Sequence, residues 1–200
     1  FSLHRPVYKQ GEFAKVLRSA LGVVTLESFV RGKYAALTSV LRKVSLLDVD
    51  MDGGTFDNVG GASSYAFRAT NCTGKININD TSGGASAAVN INRCYGLDFN
   101  LRDSNHKAAN VGTNYGIVIT DSQAVEVHAR NSHGTRHGIS TGTVGTNPVV
   151  NRDININGAN ISSEEAQGAD FHGNAENCYY KDCRISNGFK LDGKDCGYID

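Results

Sequence analysis

The feature that most constrains this chain is a repeat of short β-patterned segments whose spacing varies. One kind of segment alternates apolar and polar residues and starts at Ile76, Leu97, Val125 and Ile154, which are 21, 28 and 29 residues apart. Residues 47–51 and, more weakly, 182–185 share this pattern, and a second kind of segment occupies residues 65–69, 87–91, 115–119, 137–140, 168–172 and 188–191. Such variation in the spacing is expected of a coil in which the strands have a fixed length and the loops between them a variable one.

Most segments of the second kind are followed by a recurring corner pair, namely Asn71-Cys72, Arg93-Cys94, Asp121-Ser122, Asn177-Cys178 and Asp195-Cys196. From Cys94 and Ser122 the next segment of the first kind begins three residues later. Small polar side chains that recur at one corner fit a stack in which successive rungs lie about 4.8 Å apart. The corners therefore predict a solenoid.

A solenoid gives each alternating strand a hydrogen-bonding partner on either side and a shared interior for its apolar face. We expect inward side chains at Ile76/Ile78, Leu97/Phe99, Val125/Val127 and Ile154/Ile156, and outward ones at Asn77/Asn79, Asp98/Asn100, Glu126/His128 and Asn155/Asn157. The alternative, an antiparallel β-sandwich, needs two-residue hairpin turns, but Asn-Gly and Asp-Gly occur at only four places. The predicted fold class is all-β, a right-handed single-stranded parallel β-helix.

The composition changes near residue 43, which suggests two parts. No asparagine precedes Asn58, and only three of the 23 glycines precede Gly53. We therefore interpret residues 1–42 as a lead-in or capping segment, with a short helix at 12–21, and residues 43–200 as β-helix rungs. The chain starts at Phe1 rather than Met, and we expect it to be a segment of a longer protein whose rungs continue beyond Asp200.

Charge and hydropathy narrow the possible partners. The formal net charge is zero, whereas a nucleic-acid-binding face normally shows a basic excess. No apolar run approaches the roughly 18 residues that a membrane span needs. We therefore expect neither a nucleic acid nor a membrane as a partner. The five cysteines are odd in number and form no C-x-x-C pair, so we expect reduced, buried thiols rather than disulfides.

Taken together, the corner pairs and the phrase Arg-His-Gly-Ile-Ser-Thr-Gly at 136–142 resemble right-handed β-helix proteins of the pectate-lyase-like superfamily, and within it bacteriophage tailspikes. The resemblance covers about residues 44–200. It implies a homotrimer on the virion tail, outside the cell, that contacts other virion tail proteins and binds, and often cleaves, bacterial surface polysaccharide. Assembly in the host cytoplasm would keep the thiols reduced.

The outward face offers candidate catalytic residues. Asp98 and Glu126 occupy equivalent places in neighbouring rungs, about 5 Å apart at the backbone, which is close to the carboxylate spacing of retaining glycosidases. Asp48 or Asp50 would lie about 10 Å from Asp98, near the upper end of the inverting range. His128 could relay a proton beside Glu126. The alternative reading is a solvated sheet face, which every soluble β-helix has.

Other charged residues are candidates for binding acidic sugars: Arg102, Arg130, Arg136 and His137, with Glu165 and Asp170 as a second carboxylate pair near His172. We expect no metal and no cofactor. The Asp48-Asp50-Asp52 series has Val59 where a calcium loop needs an acidic ligand. His128, His133 and His137 would face one side only on a helix, which nearby glycines oppose.

Three functions remain open from the sequence. The first is a tailspike or tail fibre that recognises and depolymerises a surface glycan by general acid/base catalysis, as a glycoside hydrolase or a lyase. The second is an adhesive or structural tail protein without activity. The third is a secreted bacterial polysaccharide lyase, which would usually be monomeric and carry a calcium site and a signal peptide. Fold alone does not choose among them.

Overall fold

The computed structural model describes residues 13–21, 23–27, 45–58, 65–105, 114–143 and 149–200. Within these ranges all regular secondary structure is β-strand, and no helix occurs. None of the described residues forms a helix long and apolar enough to cross a membrane. The chain is therefore all-β over its described part, as predicted.

Nineteen strands are defined in the described ranges. In chain order they are β1 (Val16–Ala20), β2 (Val23–Leu26), β3 (Leu47–Asp52), β4 (Thr55–Asn58), β5 (Tyr65–Thr70), β6 (Cys72–Gly83), β7 (Ala87–Asn92), β8 (Tyr95–Asn105), β9 (Tyr115–Thr120), β10 (Gln123–Gly134), β11 (His137–Gly142), β12 (Asn151–Asn157), β13 (Asn160–Ser163), β14 (Ala169–Phe171), β15 (Ala175–Glu176), β16 (Tyr179–Lys181), β17 (Arg184–Ile185), β18 (Phe189–Leu191) and β19 (Gly197–Ile199).

Two parallel sheets run along the molecule. The larger has the order β19-β16-β12-β10-β8-β6-β3, and shorter strands continue its rungs. The smaller has the order β18-β14-β11-β9-β7-β5. From β5 to β12, successive strands therefore alternate between the two sheets, and each turn stacks on the previous turn, giving a β-solenoid of about five turns. The predicted parallel β-helix is confirmed.

The register confirms most of the predicted spacing and corrects one step. Val125 pairs with Leu97 and with Ile154, as the spacings of 28 and 29 residues require. Ile76, however, pairs with Phe99 rather than Leu97, so the repeat at that step is 23 residues instead of 21. The alternating pattern repeats every two residues, and it therefore cannot distinguish registers that differ by two.

The core lies between the two sheets. All eight predicted inward side chains are at most 4% exposed. They pack against the second sheet through residues such as Val89, Ile117 and Ile139, each fully buried. Because full burial of an aliphatic side chain contributes about 1.5–3 kcal/mol, this interior is the main stabilising element of the coil.

The predicted corner pairs are a structural feature of the coil. The residue before each Cys or Ser has a left-handed backbone, with φ between 51° and 54° at Asn71, Arg93, Asp121, Asn177 and Asp195. Corner side chains also bond between rungs. The backbone N–H of Cys94 donates to Ser122 Oγ at 3.0 Å, and the N–H of Ser122 donates to Asn151 Oδ1 at 3.0 Å. Asn151 therefore belongs to the corner series, although the sequence pattern did not include it.

The described cysteines are free, as expected. Cys72, Cys94, Cys178 and Cys183 are buried, and Cys196 is half-buried. Burial raises the pKa of the Cys94 thiol to about 12, although bonding to neighbouring backbone groups opposes the rise. These thiols act as small apolar groups in the corner stack.

Two sequence predictions are wrong. The helix expected at residues 12–21 is replaced by an antiparallel pair, β1 and β2, in which Ala20 pairs with Val23. The segment 182–185 is also not the next strand of the first kind, since Tyr179 occupies that place opposite Asn155 and β17 instead continues β13. The proposed boundary between residues 42 and 43 lies outside the described residues.

Candidate functional site

An outward column of side chains runs across the rungs of the larger sheet. The register aligns its members one below another: Asp50, Lys75, Asp98, Glu126, Asn155 and Tyr179. We call this set the flank column. Its outward direction follows from the buried or half-buried residues on either side of each member, because strand side chains alternate between faces. Asp98 and Glu126 therefore occupy adjacent rungs, and Asp50 lies two rungs from Asp98, as predicted.

Asp98 lies near the middle of the flank column and remains accessible to solvent. Asn100 Nδ2 donates to Asp98 Oδ1 at 3.0 Å. His128 Nε2 lies 3.9 Å from the same oxygen, and about half of each side chain is exposed. The structure thus brings the candidate catalytic residues Asp98 and His128 together on an open surface.

Glu126 faces the following rung. Asn155 Nδ2 donates to its Oε1 at 2.6 Å, and Asn157 Nδ2 donates to its Oε2 at 3.0 Å. Both carboxylate oxygens therefore accept an amide hydrogen bond, which fixes the carboxylate plane. His128, predicted to assist Glu126, has its ring nitrogen near Asp98 instead.

The candidate arginines lie in different surroundings. Arg102 is exposed and forms ion pairs with Asp80 and Asp103. Arg130 is exposed as well, and its backbone oxygen accepts from Asn160 Nδ2 at 3.2 Å. Arg136 is half-buried, and its Nη1 donates to the Tyr115 hydroxyl at 3.4 Å. Arg130 lies on β10, four residues beyond Glu126, whereas Arg136 directly precedes β11.

A second cluster lies at the smaller sheet. His137 at the start of β11, Asp170 on β14 and His172 just after β14 bring their ligand atoms within 4.8 Å of one another. Asp170 Oδ2 lies 2.8 Å from His172 Nε2 and 3.5 Å from His137 Nε2. His137 and Asp170 are almost fully buried, and the His172 side chain is 13% exposed.

His137 is held firmly within this cluster. Its Nδ1 bonds to the Gln167 carbonyl oxygen at 2.6 Å, and its ring stacks on Tyr115 with centroids 5.6 Å apart. Burial lowers the pKa of His137, although the hydrogen bond to Gln167 and the charge of Asp170 oppose the shift. The imidazole is therefore biased towards its neutral form.

The predicted pair Glu165 and Asp170 has two very different environments. Glu165 is exposed at a bend, where its backbone N–H donates to Thr135 O at 2.9 Å. Asp170 is 4% exposed and faces two imidazoles. The link between His137 and Asp170 was missed by the sequence analysis. The register pairs Asp170 with Ser140, three residues from His137, so no alignment of the repeats points to this contact.

A family model described as Gp49, pectin lyase-like, matches residues 82–200, more than half of the chain. No curated protein matches the chain. Three tailspike structures resemble it. The tailspike protein gp49 from Pseudomonas phage LKA1 is 25% identical, with a TM-score of 0.66 over 100% of this chain and 34% of that chain.

The second similar structure is the gp54 tailspike of Acinetobacter baumannii bacteriophage AP22 in complex with A. baumannii capsular saccharide, at 24% identity and a TM-score of 0.71, over 99% of this chain and 33% of that one. The third is the Pseudomonas phage phi297 tailspike gp61, which is 24% identical. Its TM-score is 0.75 over 97% of this chain and 34% of that chain. The chain spans about a third of the length of each. The predicted resemblance to phage tailspike β-helices is confirmed, and the chain belongs to the Gp49, pectin lyase-like family.

Proposed function

We propose that the chain is part of a phage tailspike that binds a bacterial surface polysaccharide along its flank column. The observation that carries the proposal is the unbroken run of carboxylate, amide, amine and phenol groups on one face of six successive rungs. An extended polymer of sugars needs such a long row of hydrogen-bonding groups. A rigid coil also loses little conformational entropy when it binds.

The structural neighbours support this proposal. The AP22 tailspike has the same fold and was solved with a capsular saccharide. On this basis the polysaccharide partner is a capsule or another surface glycan of a bacterial host. A location on the virion tail, a homotrimeric assembly and contacts with other tail proteins are parts of the same proposal.

Cleavage of the bound polymer is the finer part of the proposal. Asp98 and Glu126 lie one rung apart, a backbone separation of about 5 Å that suits a carboxylate pair flanking a glycosidic bond. His128 beside Asp98 can transfer a proton to or from the carboxylate and the sugar. Arg102 and Arg130 lie on the same face and would orient acidic sugars.

One observation favours binding without cleavage as the second candidate. Both oxygens of Glu126 already accept amide hydrogen bonds, from Asn155 and Asn157. A carboxylate held in this way is well placed to orient sugar hydroxyls through its remaining lone pairs. In this second candidate the flank column acts as an adhesive surface only.

The experiment is a binding and size assay with the full chain. Capsular polysaccharides from a panel of host strains are incubated with the protein, and binding, polymer length and protein mass are followed by light scattering during size-exclusion chromatography. Binding to one polysaccharide supports the proposal, and shortening of that polymer supports the cleavage part. Absence of binding to every polysaccharide in a panel that includes the phage's host would overturn it.

A further inference from the structure

The cluster of His137, Asp170 and His172 lies on the smaller sheet, away from the flank column, and the proposed function does not use its chemistry. We propose that these three side chains bind a divalent transition-metal ion that joins two neighbouring rungs. His137 belongs to β11, and Asp170 to the adjacent strand β14. This ligand set differs from the group of His128, His133 and His137 considered in the sequence.

The tautomer of His137 supplies the first argument. Its Nδ1 lies 2.6 Å from the Gln167 carbonyl oxygen, which can only accept a hydrogen bond. The proton of the neutral ring is therefore on Nδ1, and Nε2 carries a lone pair. A backbone carbonyl that fixes the second nitrogen in this manner is the usual support of a metal-binding histidine.

The surroundings of that lone pair supply the second argument. His137 Nε2 is buried and has no hydrogen-bond partner among the described residues. It points to Asp170 Oδ2, another lone-pair atom, at 3.5 Å. Two acceptors that face each other out of water are unfavourable unless a cation lies between them. A metal ion would satisfy both.

Asp170 supplies the third argument. Its Oδ1 is buried and also lacks a hydrogen-bond partner in the described part of the chain. Two ligands at 2.0–2.2 Å from a tetrahedral ion are about 3.4 Å apart, close to the 3.5 Å that separates Asp170 Oδ2 from His137 Nε2. His172 Nε2 lies 2.8 Å from the same oxygen. Metal binding therefore needs the proton of His172 on Nδ1 and a small shift of its ring, so that the two ligand atoms reach the spacing of about 3.4 Å.

The ligand types define the class of ion. Two imidazoles and one carboxylate suit Zn²⁺, Co²⁺ or Ni²⁺, whereas Ca²⁺ and Mg²⁺ prefer an all-oxygen shell. Three protein ligands leave one tetrahedral position for water. The His172 side chain is the most exposed of the three ligands, at 13%, and we expect the ion to enter past it.

The test is metal titration of the untagged full chain after removal of metal with a chelator. Cys196 is replaced by Ser throughout, so that the half-exposed thiol does not bind the ion. We expect about one equivalent of Zn²⁺ by calorimetry, a Co²⁺ absorption spectrum typical of low coordination number, and a higher melting temperature with Zn²⁺. His172→Ala should weaken Zn²⁺ binding at least tenfold.

His128→Ala is the matched control, because it removes an exposed histidine that is not in the cluster, and it should bind Zn²⁺ as the parent does. Circular dichroism checks that each variant is folded, and Asp170→Asn provides a near-isosteric second variant. Absence of saturable Zn²⁺ binding would overturn the proposal. Equal affinity in the folded His172→Ala and Asp170→Asn variants would overturn it as well.

Discussion

Arg152 and Glu176 form an ion pair that joins two adjacent rungs of the larger sheet. Arg152 Nε and Nη2 both donate to Glu176 Oε2, at 2.9 and 2.7 Å. The Arg152 side chain is 6% exposed and that of Glu176 is 20% exposed. Lys194 Nζ, at 3.0 Å from Glu176 Oε1, completes the arrangement. The charge of Arg152 is thus almost removed from water and faces the Glu176 carboxylate.

Replacement of Glu176 should therefore destabilise the coil. Glu176→Gln removes the negative charge that faces the nearly buried Arg152 guanidinium, and we expect a loss of about 2 kcal/mol, somewhat less than for a fully buried pair because Glu176 retains some contact with solvent. Denaturant unfolding measures the change. Asp192→Asn, which breaks the exposed pair with Lys190, is the control and should cost at most about 1 kcal/mol.

The same pair predicts a pH dependence. Burial by itself would raise the pKa of Glu176, but the hydrogen bonds and charges of Arg152 and Lys194 together lower it below the ordinary value of 4.5. The stabilisation is therefore present above pH 4.5 and is lost as the pH falls through the lower pKa of the folded state. The stability difference between wild type and Glu176→Gln should shrink on acidification from pH 7. A difference that stays constant down to pH 3 would contradict this interpretation.

Asn151 is predicted to be the most sensitive corner residue. It is fully buried, accepts from the Ser122 N–H and donates from Nδ2 to Gly142 O at 2.7 Å. Asn151→Ala removes the acceptor of the buried Ser122 N–H, at a cost of about 1–3 kcal/mol. Asn160→Ala, at an exposed position of β13, should change the unfolding free energy by about 0.5 kcal/mol or less. Equal losses for the two variants would argue against the corner account.

Two glycines of β11 make a matched packing test. A Cβ on Gly138 would lie 2.6 Å from Ile161 Cγ2 and 2.8 Å from two backbone oxygens, whereas a Cβ on Gly142 would meet nothing closer than 3.5 Å. Gly138→Ala should therefore cost about 1–3 kcal/mol by overpacking. Gly142→Ala should change the stability very little. Thermal unfolding measures both variants, and a larger loss for Gly142→Ala than for Gly138→Ala would contradict this packing argument.

The corner thiols should differ in reactivity. A hydrogen bond with Cys178 lowers the pKa of the half-buried Cys196, although burial opposes the shift, whereas burial raises the pKa of Cys94 and Cys178. Since the thiolate is the reactive form, Cys196 should be alkylated first in the native protein, and the buried thiols only on unfolding. Mass spectrometry of Cys196→Ser should show that the rapid label has disappeared.

Much of the scaffold was predictable, because alternation and corner pairs are local signals. The inward positions at Val125 and Val127 and the left-handed corner at Asp121 follow directly from residue type. The step from Ile76 to Phe99 was not predictable, because Gly74 occupies a place where other rungs have an apolar residue. The corner position of Asn151 was not predicted, because the residue before it, Val150, differs from the Asn, Asp or Arg that precedes the other corner residues.

The candidate site was only partly predictable. Register arithmetic places Asp98 beside Glu126, and the structure agrees. The direction of each side chain depends on neighbours from other rungs, such as Asn155 and Asn157 around Glu126, and no local pattern reports that. Burial of Asp170 likewise depends on packing against other rungs. In the sequence alone, Gly168-Ala169-Asp170 therefore resembles a strand whose Asp170 side chain faces solvent.

We propose that the chain binds a polysaccharide along the flank column and that Asp98 and Glu126 cleave it. The most direct test of this claim is the rate at which the full chain shortens the capsular polysaccharide that it binds. We predict that Asp98→Asn and Glu126→Gln each lower this rate by about 100-fold or more while the variants remain folded, and that Asp192→Asn leaves it unchanged. Rates within about twofold of wild type for both carboxylate variants would contradict the claim.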